Sequence, residues 1–111
     1  MASSNNPQHE SLASGRWFTL SLAEQLGNIG SEFSRAESAK KLGNSERFNK
    51  AESRFYELMD LTLADDRWRG APRRELARVR EDAAGELAAP GTRPTLQKYF
   101  DYFAIEARAN R

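Results

Sequence analysis

The stretch from Asn44 to Gly70, NSERFNKAESRFYELMDLTLADDRWRG, constrains the fold more than any other part of the chain. Set at about 100° per residue on a helix, Leu61, Leu58, Ala51, Thr62, Phe55, Phe48, Met59, Leu63 and Tyr56 fill one arc covering more than half the circumference. An arc this wide demands contact with more than one neighbour, so the rest of the chain is expected to fold around it. Glu52 falls inside the arc among Phe48, Met59 and Tyr56. An ionised carboxylate in such a place needs a cation and further donors.

The flanking segments supply the neighbours. From Arg16 to about Leu42, Leu22, Leu26, Ile29, Phe33 and Ala36 recur at steps of four and three and build one apolar stripe, with Trp17 and Phe18 anchoring its start. Beside the stripe runs a flank of small residues, Ala23, Gly27, Gly30, Ser34 and Ser38. Each interior glycine costs a helix about 1 kcal/mol relative to alanine. Either a neighbouring helix or a partner chain approaches closely there, or the helix is frayed or kinked at that point. Gly43 suits a left-handed stop, and Asn44 or Ser45 caps the next helix, so the first two helices form a short-linked antiparallel hairpin. After a polar corner at Asp65 to Gly70, Pro72 opens a third helix to about Ala88, with Val79, Ala83, Leu76, Leu87, Ala84 and Ala77 inward and Arg80 and Arg73 in the same arc. AAPGTRP breaks the chain from Ala88 to Pro94. Thr92 or Thr95 then caps a fourth helix to about Ala107, with Leu96, Tyr99, Phe100, Phe103, Ala104 and Ala107 inward and Tyr102 and Ile105 outward.

The expected fold is all-α, an antiparallel up-and-down four-helix bundle over residues 16–111 behind a flexible tail, 1–15, that holds the sole histidine, His9. With 111 residues the chain is one domain. It has no cysteine, so disulfides and cysteine-ligated metal sites are excluded and the cytoplasm is the default setting. No apolar run reaches the ~20 residues that span a bilayer, and no signal peptide is evident at the start. No cofactor or metal is expected: no Glu-x-x-His pair, phosphate-binding glycine loop, nucleophile elbow or Ser, His and Asp set occurs. A net charge of +1 gives no global attraction to nucleic acid, so any such affinity must come from a local patch.

Three constellations carry the functional expectations. Glu52, Arg80 and Arg73, with Gln25 and Glu32 on the edge of the first stripe, form a candidate buried ion-pair centre. Arg80 is the natural bidentate partner of Glu52, and the centre reads as a device fixing which helices face each other before it reads as a carboxylate enzyme on Glu52 and Glu32. Arg67, Trp68, Arg69, Arg73, Arg74, Arg78 and Arg80 form a candidate nucleic-acid corner, an aromatic among arginines. Asp65, Asp66, Glu75, Glu81 and Asp82 are interleaved, so it reads first as a solvated, self-paired face. Finally Tyr102, Ile105, Trp17 and Trp68 are large residues that four helices can leave partly outside, and Tyr102 and Ile105 with Ala23, Gly27, Gly30 and Ser34 are candidate interface residues.

SLAEQLGNIGSE (Ser21 to Glu32), LMDLTLADDRWRG (Leu58 to Gly70) and LQKYFDYFA (Leu96 to Ala104) resemble segments of a group of short, uncharacterised bacterial all-helical proteins. That resemblance implies four helices and a bacterial origin. In size and architecture the chain is also similar to the four-helix accessory proteins of diversity-generating retroelements, which bind a reverse transcriptase and nucleic acid. Those are markedly basic and this chain is not. The Arg-to-His motif of helical ribonuclease domains found in toxin pairs is absent. The expected function is a non-enzymatic protein-interaction or self-associating module, through the small-residue flank of the first helix or the aromatic face of the fourth. The alternative is a nucleic-acid-binding accessory protein using Arg67 to Arg80.

Overall fold

A computed structural model describes residues 15–90 and 95–109. Among these residues there are four α-helices, α1 (Leu22–Lys41), α2 (Ser45–Leu63), α3 (Ala71–Ala88) and α4 (Thr95–Ala109), two 3-10 turns, Arg16–Thr19 and Asp66–Trp68, and no strand. The expectations for the tail, His9 and a Thr92 cap lie outside the described residues. None of the four helices is long and apolar enough to cross a membrane.

Local chemistry sets the helix ends. Ser21 caps α1 through a reciprocal box: Glu24 N–H donates to Ser21 Oγ at 3.0 Å, and Ser21 N–H donates to Glu24 Oε1 at 2.8 Å. Gly43, at φ 71°, turns the chain out of α1, and Asn44 accepts from Arg47 N–H to start α2. Gly70, at φ 91°, precedes α3, with Pro72 in the first turn as expected.

The helices run up, down, up and down. The three-residue link makes α1 and α2 antiparallel. Gly27 lies against Ala104 and Gly30 against Phe100, so α4 also runs against α1. Lys40 near the end of α1 meets the last carbonyls of α3, which makes those two parallel. Phe33, Phe55 and Phe100 come together at the centre, with ring centroids 5.4 to 6.2 Å apart. Around them Leu26, Ile29, Leu58, Met59, Leu76, Val79, Ala83, Leu87 and Trp17 complete one contiguous core.

The central element is α1 rather than α2. Its most intimate packing is with α2 on one side and α4 on the other, whereas α2 leaves Phe48, Tyr56, Leu61 and Leu63 only partly covered. The small-residue flank accounts for the difference. A Cβ on Gly30 would collide with Phe100 Cβ, and one on Gly27 would lie 3.1 Å from Ala104 Cα. The glycines let α4 settle backbone-close on a second side of α1, so the neighbour they accommodate is the chain's own last helix.

Candidate functional site

Gln25 is fully buried in a polar centre, but its partners are not Glu52 and Arg80. The centre lies at the end of the bundle where α1 begins and α2 ends. Gln25 Nε2–H donates to the Trp17 carbonyl at 2.9 Å and to Asp65 Oδ2 at 3.1 Å, and its Oε1 accepts from Trp68 Nε1–H at 2.9 Å. Beside it Trp17 Nε1–H donates to Thr62 Oγ1 at 3.0 Å, and that hydroxyl donates to the Leu58 carbonyl at 2.9 Å. Trp17 is fully buried, so it is a core residue and not one left partly outside.

Asp65, 3% exposed, is clasped by Arg67. Arg67 Nε–H donates to Oδ1 at 3.0 Å and Nη2–H to Oδ2 at 2.7 Å, while the same Nη2 reaches the Leu20 carbonyl at 2.7 Å. Hydrogen bonds from Arg67 outweigh burial, and Gln25 adds another, so the Asp65 carboxyl is lowered from 3.8 to about 2. The Arg67 guanidinium also stacks 4.5 Å from the Trp68 ring. The network joins both 3-10 turns to α1 and α2, so its chemistry is that of a staple.

Arg80 does not pair with Glu52. Its Nε lies 3.0 Å from Asp60 Oδ1 and its guanidinium lies over the Tyr56 ring at 4.7 Å. Arg80 sits at the rim of the α3 arc, where an exposed acid can be reached without stripping either ion of water, and its stem covers Tyr56 on the way. Glu52 is half-buried and therefore keeps enough solvent to need no clasp. Burial first, then the nearby Glu52 charge, raises the Tyr56 phenol above its ordinary pKa. Arg73 turns the other way, 3.4 Å from the Asp65 carbonyl and 4.0 Å from Asp66. Glu32 is buried but pairs on its own helix with Arg35, at 3.0 Å. The five residues read from sequence as one centre thus lie in separate settings: Gln25 is inside the buried network, Arg73 touches its edge at the Asp65 carbonyl, and Glu52, Arg80 and Glu32 lie apart from it.

The arginine corner is largely spent internally. Arg67 holds Asp65, Trp68 is half-buried on Gln25, and Arg69 and Arg73 both face Asp66, at 3.2 and 4.0 Å. Arg74 and Arg78 remain exposed on a face shared with Glu75, Glu81 and Asp82. A second cationic device was not foreseen. Lys40 Nζ donates to the carbonyls of Glu86, Leu87 and Ala89 at 2.7, 3.4 and 3.0 Å, capping the C-terminus of α3 where the helix dipole is negative. Glu37 lies 3.4 Å from the same ammonium, and burial raises its carboxyl above the ordinary value against the pull of Lys40.

The interface candidates divide. Gly30 is buried and Gly27 partly covered beneath α4, Ala23 is half-buried, and Ser34 is exposed. Tyr102 and Ile105 are 60% and 59% exposed on the outer face of α4. A groove of about 580 Å³ runs between that helix and α1, with Gly27, Ser31 and Ser34 on one wall and Asp101, Ile105 and Arg108 on the other. Of the interface candidates, Gly27, Gly30, Ser34 and Ile105 therefore border one groove, and Ala23 and Tyr102 lie outside it. Among the described residues no group of three or more His, Cys, Asp or Glu is placed to hold a metal ion. Comparison with protein families, with characterised proteins and with solved structures finds no match for this chain.

Proposed function

We propose that this protein is a non-enzymatic interaction module that associates with a second copy of itself through the outer edge of α4. The observation that carries the reading is a self-complementary face. Asp101 and Arg108 lie two helical turns apart on one edge, bordering the same groove, with exposed Ile105 between them and Tyr102 alongside. An antiparallel second α4 brings each Asp101 opposite the partner's Arg108, with Ile105 near the two-fold axis. The groove beside α1 gives the partner's apolar side chains a concave seat. The contact is one helix face, so it falls at the small end of specific interfaces and the association is concentration-dependent. The bacterial, cytoplasmic setting we infer for it rests on the sequence resemblance and the cysteine-free composition.

A charge exchange tests the arrangement. Asp101→Arg alone and Arg108→Asp alone each set like charges opposite one another and are expected to be monomeric by light scattering at concentrations where the parent chain is dimeric. Mixed one to one, the two variants become complementary and form a heterodimer. A parent chain that stays monomeric at high concentration, or variants that do not pair on mixing, overturns the reading.

A further inference from the structure

Opposite the arginine corner, a groove of about 500 Å³ runs between the C-terminal half of α1 and the N-terminal half of α2. Its walls carry Arg35, Arg47, Lys50 and Arg54, its floor includes the exposed Ser34 and Ser38, and no carboxylate lines it. Among the described residues Arg47, Lys50 and Arg54 form no ion pair, and Arg35 gives one N–H to Glu32 at 3.0 Å, leaving donors of its fork free. At the corner from Arg67 to Arg80, by contrast, Arg67, Arg69, Arg73 and Arg80 each meet an acid, and the exposed Arg74 and Arg78 share their face with Glu75, Glu81 and Asp82. The chain as a whole is nearly neutral, so gathering four cations here, with no acid in the lining, concentrates positive charge on this face.

We propose that the groove between α1 and α2 binds the phosphodiester backbone of nucleic acid through Arg35, Arg47, Lys50 and Arg54, without reading its sequence. Spacing, hydroxyls and the absence of stacking groups support this ligand. Arg47, Lys50 and Arg54 recur at steps of three and four on one side of α2 and span about 10 Å along its axis. That length matches about three steps of 3.4 Å along a duplex axis, which take in about four successive phosphates of one strand. Ser34 and Ser38 supply neutral donors of the kind that accompany arginine on phosphate oxygens. No aromatic side chain lines the groove, so bases find no stacking platform there. An acidic protein helix is the less favoured occupant. The apolar lining is Ala39, Ala51 and the exposed Leu42, so a docking helix finds one large side chain to pack on and otherwise only methyl groups.

The test uses the full chain and fluorescence anisotropy with a labelled mixed-sequence duplex of about twenty base pairs, alongside a single strand of equal length. Four phosphate contacts on duplex predict a salt slope of about −3.6, a loss of about a hundredfold in affinity between 50 and 200 mM salt. The triple variant Arg47→Gln/Lys50→Gln/Arg54→Gln is expected to weaken binding about tenfold or more and to reduce the slope by about 2.7. The control Arg69→Gln/Arg74→Gln/Arg78→Gln changes net charge equally on the opposite corner and is expected to leave affinity within about twofold. If the triple variant loses helicity by circular dichroism, Arg47→Gln/Lys50→Gln, both at exposed positions, carries the same comparison against Arg74→Gln/Arg78→Gln, which removes the same two charges. Equal losses in test and control variants, no binding to either oligonucleotide, or tighter binding to polyglutamate of matched charge would each overturn the proposal.

Discussion

Asp65 shows how much one side chain can organise when its charge is both buried and fully met. Its carboxylate accepts from Arg67 and Gln25, and its lowered pKa measures how strongly the native state favours the ionised form. An acid whose folded pKa lies below its unfolded value contributes stability that is complete above the unfolded value and is lost as pH falls through the folded one. With 3.8 falling to about 2, the contribution is present above about pH 4, lost on the way down to about pH 2, and amounts to about 2 kcal/mol. Asp65→Asn is accordingly expected to cost about 2 kcal/mol in urea unfolding at pH 7, and to flatten the fall in stability between pH 4 and pH 2. A variant as stable as the parent would mean that Arg67 is held by the Leu20 carbonyl and Trp68 alone. Gln25 was legible as a polar residue on an apolar edge. Its partner was not, because Asp65 and Arg67 lie past the helix end, where no periodicity fixes a direction.

At the scale of the elements, the two glycines of α1 have a role that propensity alone misstates. Each weakens an isolated helix, yet the missing side chain of Gly30 leaves the space that Phe100 occupies. Gly30→Ala is expected to destabilise the fold by about 1–3 kcal/mol, because overpacking against an aromatic exceeds the helix gain of about 1 kcal/mol. Gly85, on the exposed side of α3 with open space around its Cα, provides the converse case, and Gly85→Ala is expected to raise stability by about 0.5–1 kcal/mol. Thermal unfolding of the two variants separates packing from propensity, and shifts of the same sign would refute the close approach of α4. The small flank was readable in the sequence. Whether it served this chain or another was not, since a strip of missing side chains specifies an approach distance and leaves the approaching body open. The pairing of Glu52 with Arg80 misled for a related reason: angular position places a residue on an arc but does not say whether the rim of that arc stays wet.

For the whole molecule, a core that runs unbroken from Trp17 through the three central phenylalanines to Leu87 implies one cooperative unit. Unfolding followed by tryptophan emission, which samples the Trp17 and Trp68 end, and by far-ultraviolet dichroism, which samples all four helices, is expected to give the same midpoint. Separate midpoints would show α4 leaving before the rest. Four helices, their approximate limits and the up-and-down order were all available from hydrophobic spacing, glycine stops and capping residues. The surface was less accessible to such reading. The cations of the α1–α2 groove belong to two helices and are scattered in sequence, whereas four arginines of the conspicuous run Arg67 to Arg80 are paired with acids.

The indole of Trp17 lies outside every α-helix, yet no part of it meets solvent. It works as a stopper, pushed into the open end of the bundle from a short turn and latched there by Thr62. A fragment trimmed to begin at Leu22 would keep all four rods and still be uncorked, with the Thr62 hydroxyl and the Gln25 amide each missing a mate.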